Sequence, residues 1–407
     1  MKRTVVVTGG GVVTPLGNEP ESILASLRAR RNFVVMDPRL QEYRNLRCHL
    51  CAPVTEMLPE YPRKLVRGMG RVALLALTAT ERALRMAGIA AGDPMLRNGR
   101  AGIAYGSSAG DVDAMMDFYG LLVTKDSKKM NPTTYIKEMP QTCAANLSVY
   151  YGLTGRLITT NTACTSGSQS IGYAYETIAS GKQDLMIAGG AEELSPADIG
   201  VFDSMFAAST MNDDPSRTPR AYDKDRDGLV IGEGAGTLIL EEKEHALARG
   251  ARIYGEIAGF ATNTDGVHIT HPNRDTMAQV MRLAIEDSGV DPARIGYVNT
   301  HGTATIEGDI AESNATYDVF QRPIAASTIK GYIGHTLGAC GAIEAWVTLL
   351  MLHEGWFAPN LNLEVVDPQC GPLDYITGDG LSLATDYAMS NNFAFGGINT
   401  SLILKRG

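Results

Sequence analysis

Residues 157–180 read LITTNTACTSGSQSIGYAYETIAS. The first four form an apolar, β-branched run that reads as a strand; small residues then crowd around one cysteine, and IGYAYETIAS continues as a helix. DLMIAGGAEELSP (184–196) follows as another strand, leaving on glycines. Strand, turn, helix and strand in this order predict an α/β fold. Cys164 then has two readings, a small hydrophobe at a strand end or a nucleophile displayed at the head of a helix. On this stretch alone the buried structural cysteine is favoured.

Working outward, RTVVVT (3–8) reads as a buried strand that ends in a sharp turn at Gly9, Gly10 and Gly11. The glycines suggest a dinucleotide fingerprint, but Thr14 occupies the place of its last glycine and no acidic ribose partner follows about 20 residues later. Residues 70–88 keep an apolar stripe at helical spacing and close on Gly88, and RAGIAYGSS (100–108) reads as a buried strand. The second half echoes the first. IYGEIAGFATNTDG from Ile253 is similar to the opening strand, GHTLGACGAIEAWVTLL (334–350) to the Cys164 turn and helix, and AMSNNFAFGGIN (388–399) to LMIAGGAEEL. Two related α/β halves, 1–250 and 251–407, packed as one unit without a linker, are expected.

Composition narrows the functional classes. The chain has 407 residues, 44% hydrophobic and 20% charged, with no low-complexity tract, which describes a well-cored protein. A formal charge of −9 supplies no general attraction for nucleic acid. Lys2-Arg3 before TVVV mimics a secretion signal, but TGGGVVTPLG interrupts it, and no run approaches the ~18 apolar residues of a membrane helix. Six cysteines are too sparse for a disulfide scaffold, so a reducing cytoplasm is expected. Cys48-His-Leu-Cys51 lacks the second pair that a zinc site needs. Asp223-Lys-Asp225-Arg-Asp227-Gly228 opens like a calcium loop, but its twelfth position is Gly234 rather than a bidentate carboxylate. A turn whose acids pair with Arg220 or Arg226, or accept from backbone, is expected instead.

Among seven histidines, two stand in glycine-rich settings, His301 in NTHGTATIEGD and His335 in KGYIGHTLGACG. With Cys164 in TACTSG, and with DKDRDGLVIGEGAG and NNFAFGGIN in the same order, the chain resembles the β-ketoacyl-acyl carrier protein synthases. These are the elongating type I/II condensing enzymes of the thiolase superfamily, and the resemblance runs from VVVTGGGVVTPLGN to NNFAFGGIN. It implies a thiolase-like fold of two pseudo-duplicated halves in αβαβα layers. It also implies a Cys164-His301-His335 triad, with the amides of Cys164 and Phe395 as oxyanion hole. A helix N-terminus would favour the thiolate of such a cysteine.

The resemblance further implies an active-site Lys330 paired near Glu312, and hydroxyls of Thr303 and Thr305 along the phosphopantetheine arm. Phe393 and Phe395 become gating aromatics, and Ala109 the floor of the acyl pocket. Arg63, Lys64 and Arg67 become the docking segment for an acidic carrier protein; Lys125, Lys128 and Lys129 form a second basic cluster in the sequence, read equally as a docking site or as a solvated loop. No metal or dissociable cofactor is implied, since substrates arrive on the carrier's own arm. A homodimer is expected, with a heterodimer containing a chain-length factor as the alternative in a polyketide pathway. Ala394 and Ile398 depart from the usual glycine and threonine, and a Cβ at 394 is expected to restrict the gate. The absence of cysteine from NNFAFGGIN disfavours a thiolase, the second histidine disfavours an initiating Cys-His-Asn enzyme, and Cys164 disfavours a non-catalytic chain-length factor.

Overall fold

The computed structural model describes residues 2–407. Strand β1 (Val5–Val13) is buried along its whole length. The glycines expected to end it lie inside it, because neighbours press on both faces. A Cβ on Gly9 or Gly11 would enter the backbone of helix α1 (Arg71–Met86), and one on Gly10 would enter the Trp346 ring. Close approach, rather than a turn, is what these three glycines permit.

After β1 and α1, the first half continues with β2 (Ala101–Gly106), α2 (Thr142–Tyr151), β3 (Leu157–Thr160), α3 (Ser166–Ala179), β4 (Leu185–Glu192) and β5 (Gly234–Glu242). The same succession recurs as β6 (Gly255–Thr264), α4 (Arg274–Ser288), β7 (Ile295–Asn299), α5 (Ile306–Phe320), β8 (Ala325–Ser327), α6 (Cys340–Glu354), β9 (Tyr387–Ala394) and β10 (Ile398–Arg406). In space the strands run β3-β2-β4-β5-β1, then β6-β10-β9-β7-β8. The second set is the first with its order reversed about the junction. Each half pairs its three outer strands in parallel and adds its two inner strands antiparallel. The halves join where Val6 and Val7 of β1 meet Glu256 and Gly255 of β6.

Helices α1 and α2 cover one outer face, and α4 and α5 the other. Between the two halves of the sheet lie α3 and α6, each packed on strands of both halves and on each other, which completes five layers. This position explains CGAIEAWVTLLML, apolar on every side and buried from Cys340 to Leu352. The helices touch at their first turns. A Cβ on Gly167 would lie 2.9 Å from the Ala342 amide nitrogen, and one on Gly341 2.6 Å from that of Ser168.

Candidate active site

Each central helix is preceded by a single tight turn, Ala163–Thr165 before α3 and Leu337–Ala339 before α6. Both open on a left-handed residue, Ala163 at φ 48° and Leu337 at φ 44°. Ser166 Oγ ties the first turn by accepting from the Thr162 amide at 3.0 Å and donating to the Ala163 carbonyl at 2.8 Å. These serines and threonines are the small polar residues of the TACTSG stretch, and they satisfy backbone groups that a buried helix start would leave unpaired.

The turns bring Cys164 and His335 together, and the loop after β7 adds His301. The sulfur and one ring nitrogen of each histidine all lie within 4.8 Å of one another. The rings meet edge to face, with centroids 5.0 Å apart. The backbone amides of Cys164 and Phe395 both donate toward the sulfur. Neither nitrogen of His335 has a protein partner, so that buried ring is free to meet a bound group. His301 Nδ1 faces Nδ2 of Asn392 at 3.4 Å, and that amide is oriented by its donation to Glu344 Oε2 at 2.7 Å. Nδ1 of His301 is therefore an acceptor, and its proton sits on Nε2.

Burial governs the charge state. It holds His301 and His335 well below the usual histidine range, with the Lys330 charge adding to the effect, so both rings are neutral. It also pushes the Cys164 thiol up to about 12, against the pull of Lys330, with the Glu192 charge adding to the rise and the two amides opposing it. The helix N-terminus expected to favour the thiolate therefore acts against the desolvation of an enclosed sulfur.

The partner expected for Lys330 also changes. Lys330 pairs with Glu344 of α6, a lone carboxylate in an apolar helix. Burial opposes the ammonium, but the carboxylates around it, Glu344 above all, hold it charged. Glu312 of α5 instead accepts from the amides of His301 at 2.6 Å and Gly302 at 2.8 Å and from the Tyr222 hydroxyl at 3.1 Å. It braces the backbone that carries His301, and it meets Lys330 through charge rather than through a hydrogen bond. The acidic DKDRDG turn performs a similar task. Buried Arg226 reaches Asp309 of α5, Asp367 and the Ile306 carbonyl, while Asp223 pairs with Arg220 and accepts from the amides of Glu364 and Val365.

A cavity of about 500 Å³ leads from Cys164 to the surface and is lined by both histidines, Thr303, Thr305, Phe393 and Phe395. Phe395 stacks on Phe202 at 5.3 Å, and Phe393 meets the His301 ring at 6.3 Å. Ala394 ends β9 with ordinary strand geometry. The left-handed residues of the hairpin are Gly396 and Gly397, so the expected restriction at 394 does not arise in this conformation. Ala109 is not brought to this cavity; its carbonyl accepts from Ser107 Oγ. Arg63, Lys64 and Arg67 are exposed on and just after a short helix, Arg63–Val66, away from the lining. Asn392 and Glu344 were missed in the sequence, although the Asn391-Asn392 doublet and the isolated Glu344 were legible as polar residues in apolar runs.

Residues 2–246 match the family model for the β-ketoacyl synthase N-terminal domain, and 254–364 the model for its C-terminal domain. The chain belongs to the β-ketoacyl synthase family. It is 37% identical to 3-oxoacyl-[acyl-carrier-protein] synthase 1 of Haemophilus influenzae and to synthase 2 of Vibrio cholerae, covering all of this chain and 99% of each relative. A β-ketoacyl synthase from Burkholderia phymatum superposes with TM-score 0.98 at 52% identity, each chain fully covered. The ishigamide ketosynthase/chain length factor follows the same fold at TM-score 0.90 and 30% identity, again with full coverage of both chains.

The buried thiol makes a direct prediction. Alkylation of Cys164 by iodoacetamide, followed by intact mass, should accelerate about tenfold per pH unit with no plateau below about pH 10. A plateau near neutrality would reveal a resting thiolate.

Proposed function

We propose that this protein is an elongating 3-oxoacyl-acyl carrier protein synthase of fatty acid biosynthesis, with Cys164, His301 and His335 as its catalytic residues. The observation that carries this reading is one sulfur faced by two backbone amides and two neutral imidazoles. In the first half-reaction Cys164 sulfur bonds to the acyl carbonyl of a carrier thioester. The amides of Cys164 and Phe395 hold the oxyanion, and the carrier's sulfur leaves with the proton that the thiol gives up. A malonyl-carrier thioester then loses carbon dioxide, and the electron pair of the broken bond forms an enolate. His301, through Nε2–H, and His335 donate to its oxygen. The enolate carbon attacks the acyl-cysteine, the tetrahedral oxyanion occupies the same amide pair, and Cys164 sulfur departs to be reprotonated from water.

Neutral donors suit this sequence, since they stabilise the developing enolate without binding the malonyl carboxylate as tightly as a cation would. An Nε2–H on His301 also presents a proton where a metal would need a lone pair, which favours an oxyanion site over a metal site. No dissociable cofactor is required beyond the carrier's phosphopantetheine, which Thr303 and Thr305 would meet along the cavity. Lys330 and Glu344 form the charged pair behind the histidines, and Glu312 acts by positioning His301. Six free cysteines fit a reducing compartment such as the cytoplasm, and no helix among the described residues is long and apolar enough to cross a membrane.

Two partner surfaces complete the reading. Arg63, Lys64 and Arg67 offer an exposed positive rim to an acidic carrier protein. A second face is apolar: Met116, Leu122 and Val123, 63–84% exposed, lie on a helix spanning 112–124, and Val149 of α2 and Leu157 of β3, the outer edge of the sheet, are exposed as well. Such an edge is a template for pairing with another chain, and we assign it to a second copy of this protein.

Replacing both His301 and His335 with Ala should leave acyl transfer to Cys164 measurable by mass spectrometry while lowering malonyl decarboxylation by at least about 100-fold. Normal condensation by the double variant would refute their assignment. Lys64→Glu with Arg67→Glu should raise KM for acyl-carrier at low salt and converge on wild type at high salt; an unchanged KM removes them from docking. Sizing with light scattering should return a dimer that Val123→Asp with Leu157→Lys converts to monomer. A monomeric wild type that associates only with a co-expressed homologue would favour a chain-length-factor partner instead.

A further inference from the structure

The duplicated turns leave one buried carboxylate with no part in the chemistry above. Gly338 occupies in the second turn the place of Cys164 in the first, as the paired left-handed residues Leu337 and Ala163 show. The Cys164 amide faces the reacting centre, whereas the Gly338 amide donates to Oε2 of Glu192 at 3.0 Å. That same oxygen accepts from the Ser108 amide at 2.8 Å and from the Ser108 hydroxyl. Glu192, the last residue of β4, is 1% exposed. The second anion hole of the fold is thus filled permanently by the protein's own side chain.

What this side chain connects gives it a role. Gly338 lies three residues after His335, whose backbone is otherwise fixed from the far side, its amide on the Val230 carbonyl at 2.7 Å and its carbonyl on the Gly232 amide at 2.9 Å. Ser108 belongs to a loop whose carbonyls at 107 and 108 accept from the Asn161 side chain, just ahead of the nucleophile's turn. Glu192 therefore closes a chain from the Cys164 turn through Asn161 and Ser108 to the His335 turn, across the boundary between the halves.

We infer that Glu192 is a positioning residue that sets the His335 turn against the Cys164 turn, and so serves malonyl decarboxylation more than acyl transfer. Acyl transfer uses the amides of the first turn and Phe395, to which Glu192 is not hydrogen-bonded; its charge only raises the Cys164 thiol, so its removal would not slow that step. Enolate stabilisation needs His335 in register with His301 and the sulfur, and displacement of about 1 Å in such a site can cost about 100-fold. Burial lifts the Glu192 carboxyl to about 8, so a neutral side chain of the same shape is compatible with the position.

The inference rests on the two-step reading of the site, and measuring the half-reactions separately tests it. Full-length wild type, Glu192→Ala, Glu192→Gln and Ser108→Ala would be compared for acyl transfer to Cys164, malonyl-carrier decarboxylation and overall condensation. Glu192→Ala should lower decarboxylation and kcat for condensation by at least about 10-fold, with KM and acyl transfer within about threefold of wild type. Glu192→Gln, whose amide oxygen can accept the same donors, should recover both to within about threefold. Ser108→Ala, which keeps the carboxylate and removes one donor, should show a smaller loss of the same selective kind and decides the matter if Glu192→Ala does not fold. Equal loss of both half-reactions, no loss in either, or failure of Gln to restore decarboxylation would overturn the role of Glu192. A wild type that cannot condense would instead overturn the two-step reading.

Discussion

The contact on which the structure depends is the near-touching of two helix starts. At Gly167 and Gly341 the backbones of α3 and α6 come so close that a single methyl group on either would strike the other's main chain. Only glycine permits the approach. It brings two tight turns to one point, the first carrying Cys164 and the second following His335, and it places that point between two halves of a sheet. Without the glycines the helices would stand farther apart, and the sulfur and imidazoles would no longer share a site.

A site enclosed in this way is dry, and dryness sets its chemistry. Desolvation disfavours every charge, so the thiol and both imidazoles rest neutral, while the charged Lys330 and Glu344 survive as a pair whose Coulomb attraction offsets their burial. The carboxylates nearest the reacting groups serve the backbone. Glu312 gathers the amides at His301, and Asp309 accepts from the Ala304 amide of the same loop and from the Tyr222 amide of the remote acidic segment. Acids that look catalytic by position are thus structural by hydrogen bonding, and they fix ring orientation in a loop whose Gly302 and Ala304 lie in left-handed conformations.

Much of this was legible in the sequence. The repeated order of strand, turn and helix exposes the duplicated fold, and the glycine-rich settings of Cys164, His301 and His335 mark the residues that the structure gathers. What escaped depended on contacts between segments remote in the chain. The glycines of β1 read as a turn because nothing nearby reveals that α1 and Trp346 press on that strand. Glu312 was paired with Lys330 because both sit in the motifs of the site, but which carboxylate reaches a buried ammonium depends on how α5 and α6 face it. The burial of Cys164 escaped for a related reason: a helix start is visible in sequence, whereas the depth at which it lies is not.

The burial of α3 also bears on how the chain is made. Twelve of its fourteen residues are buried in the finished protein, covered partly by α6, β6 and β10. During synthesis the first half emerges alone, and this helix must wait for well over a hundred further residues before its remaining cover exists. An early fold of residues up to β5 would therefore display an apolar helix and an open sheet face, a surface suited to chaperones and prone to self-association. The enclosure that keeps the reacting sulfur dry in the finished protein leaves the nascent chain with a long interval in which its central layer is half built.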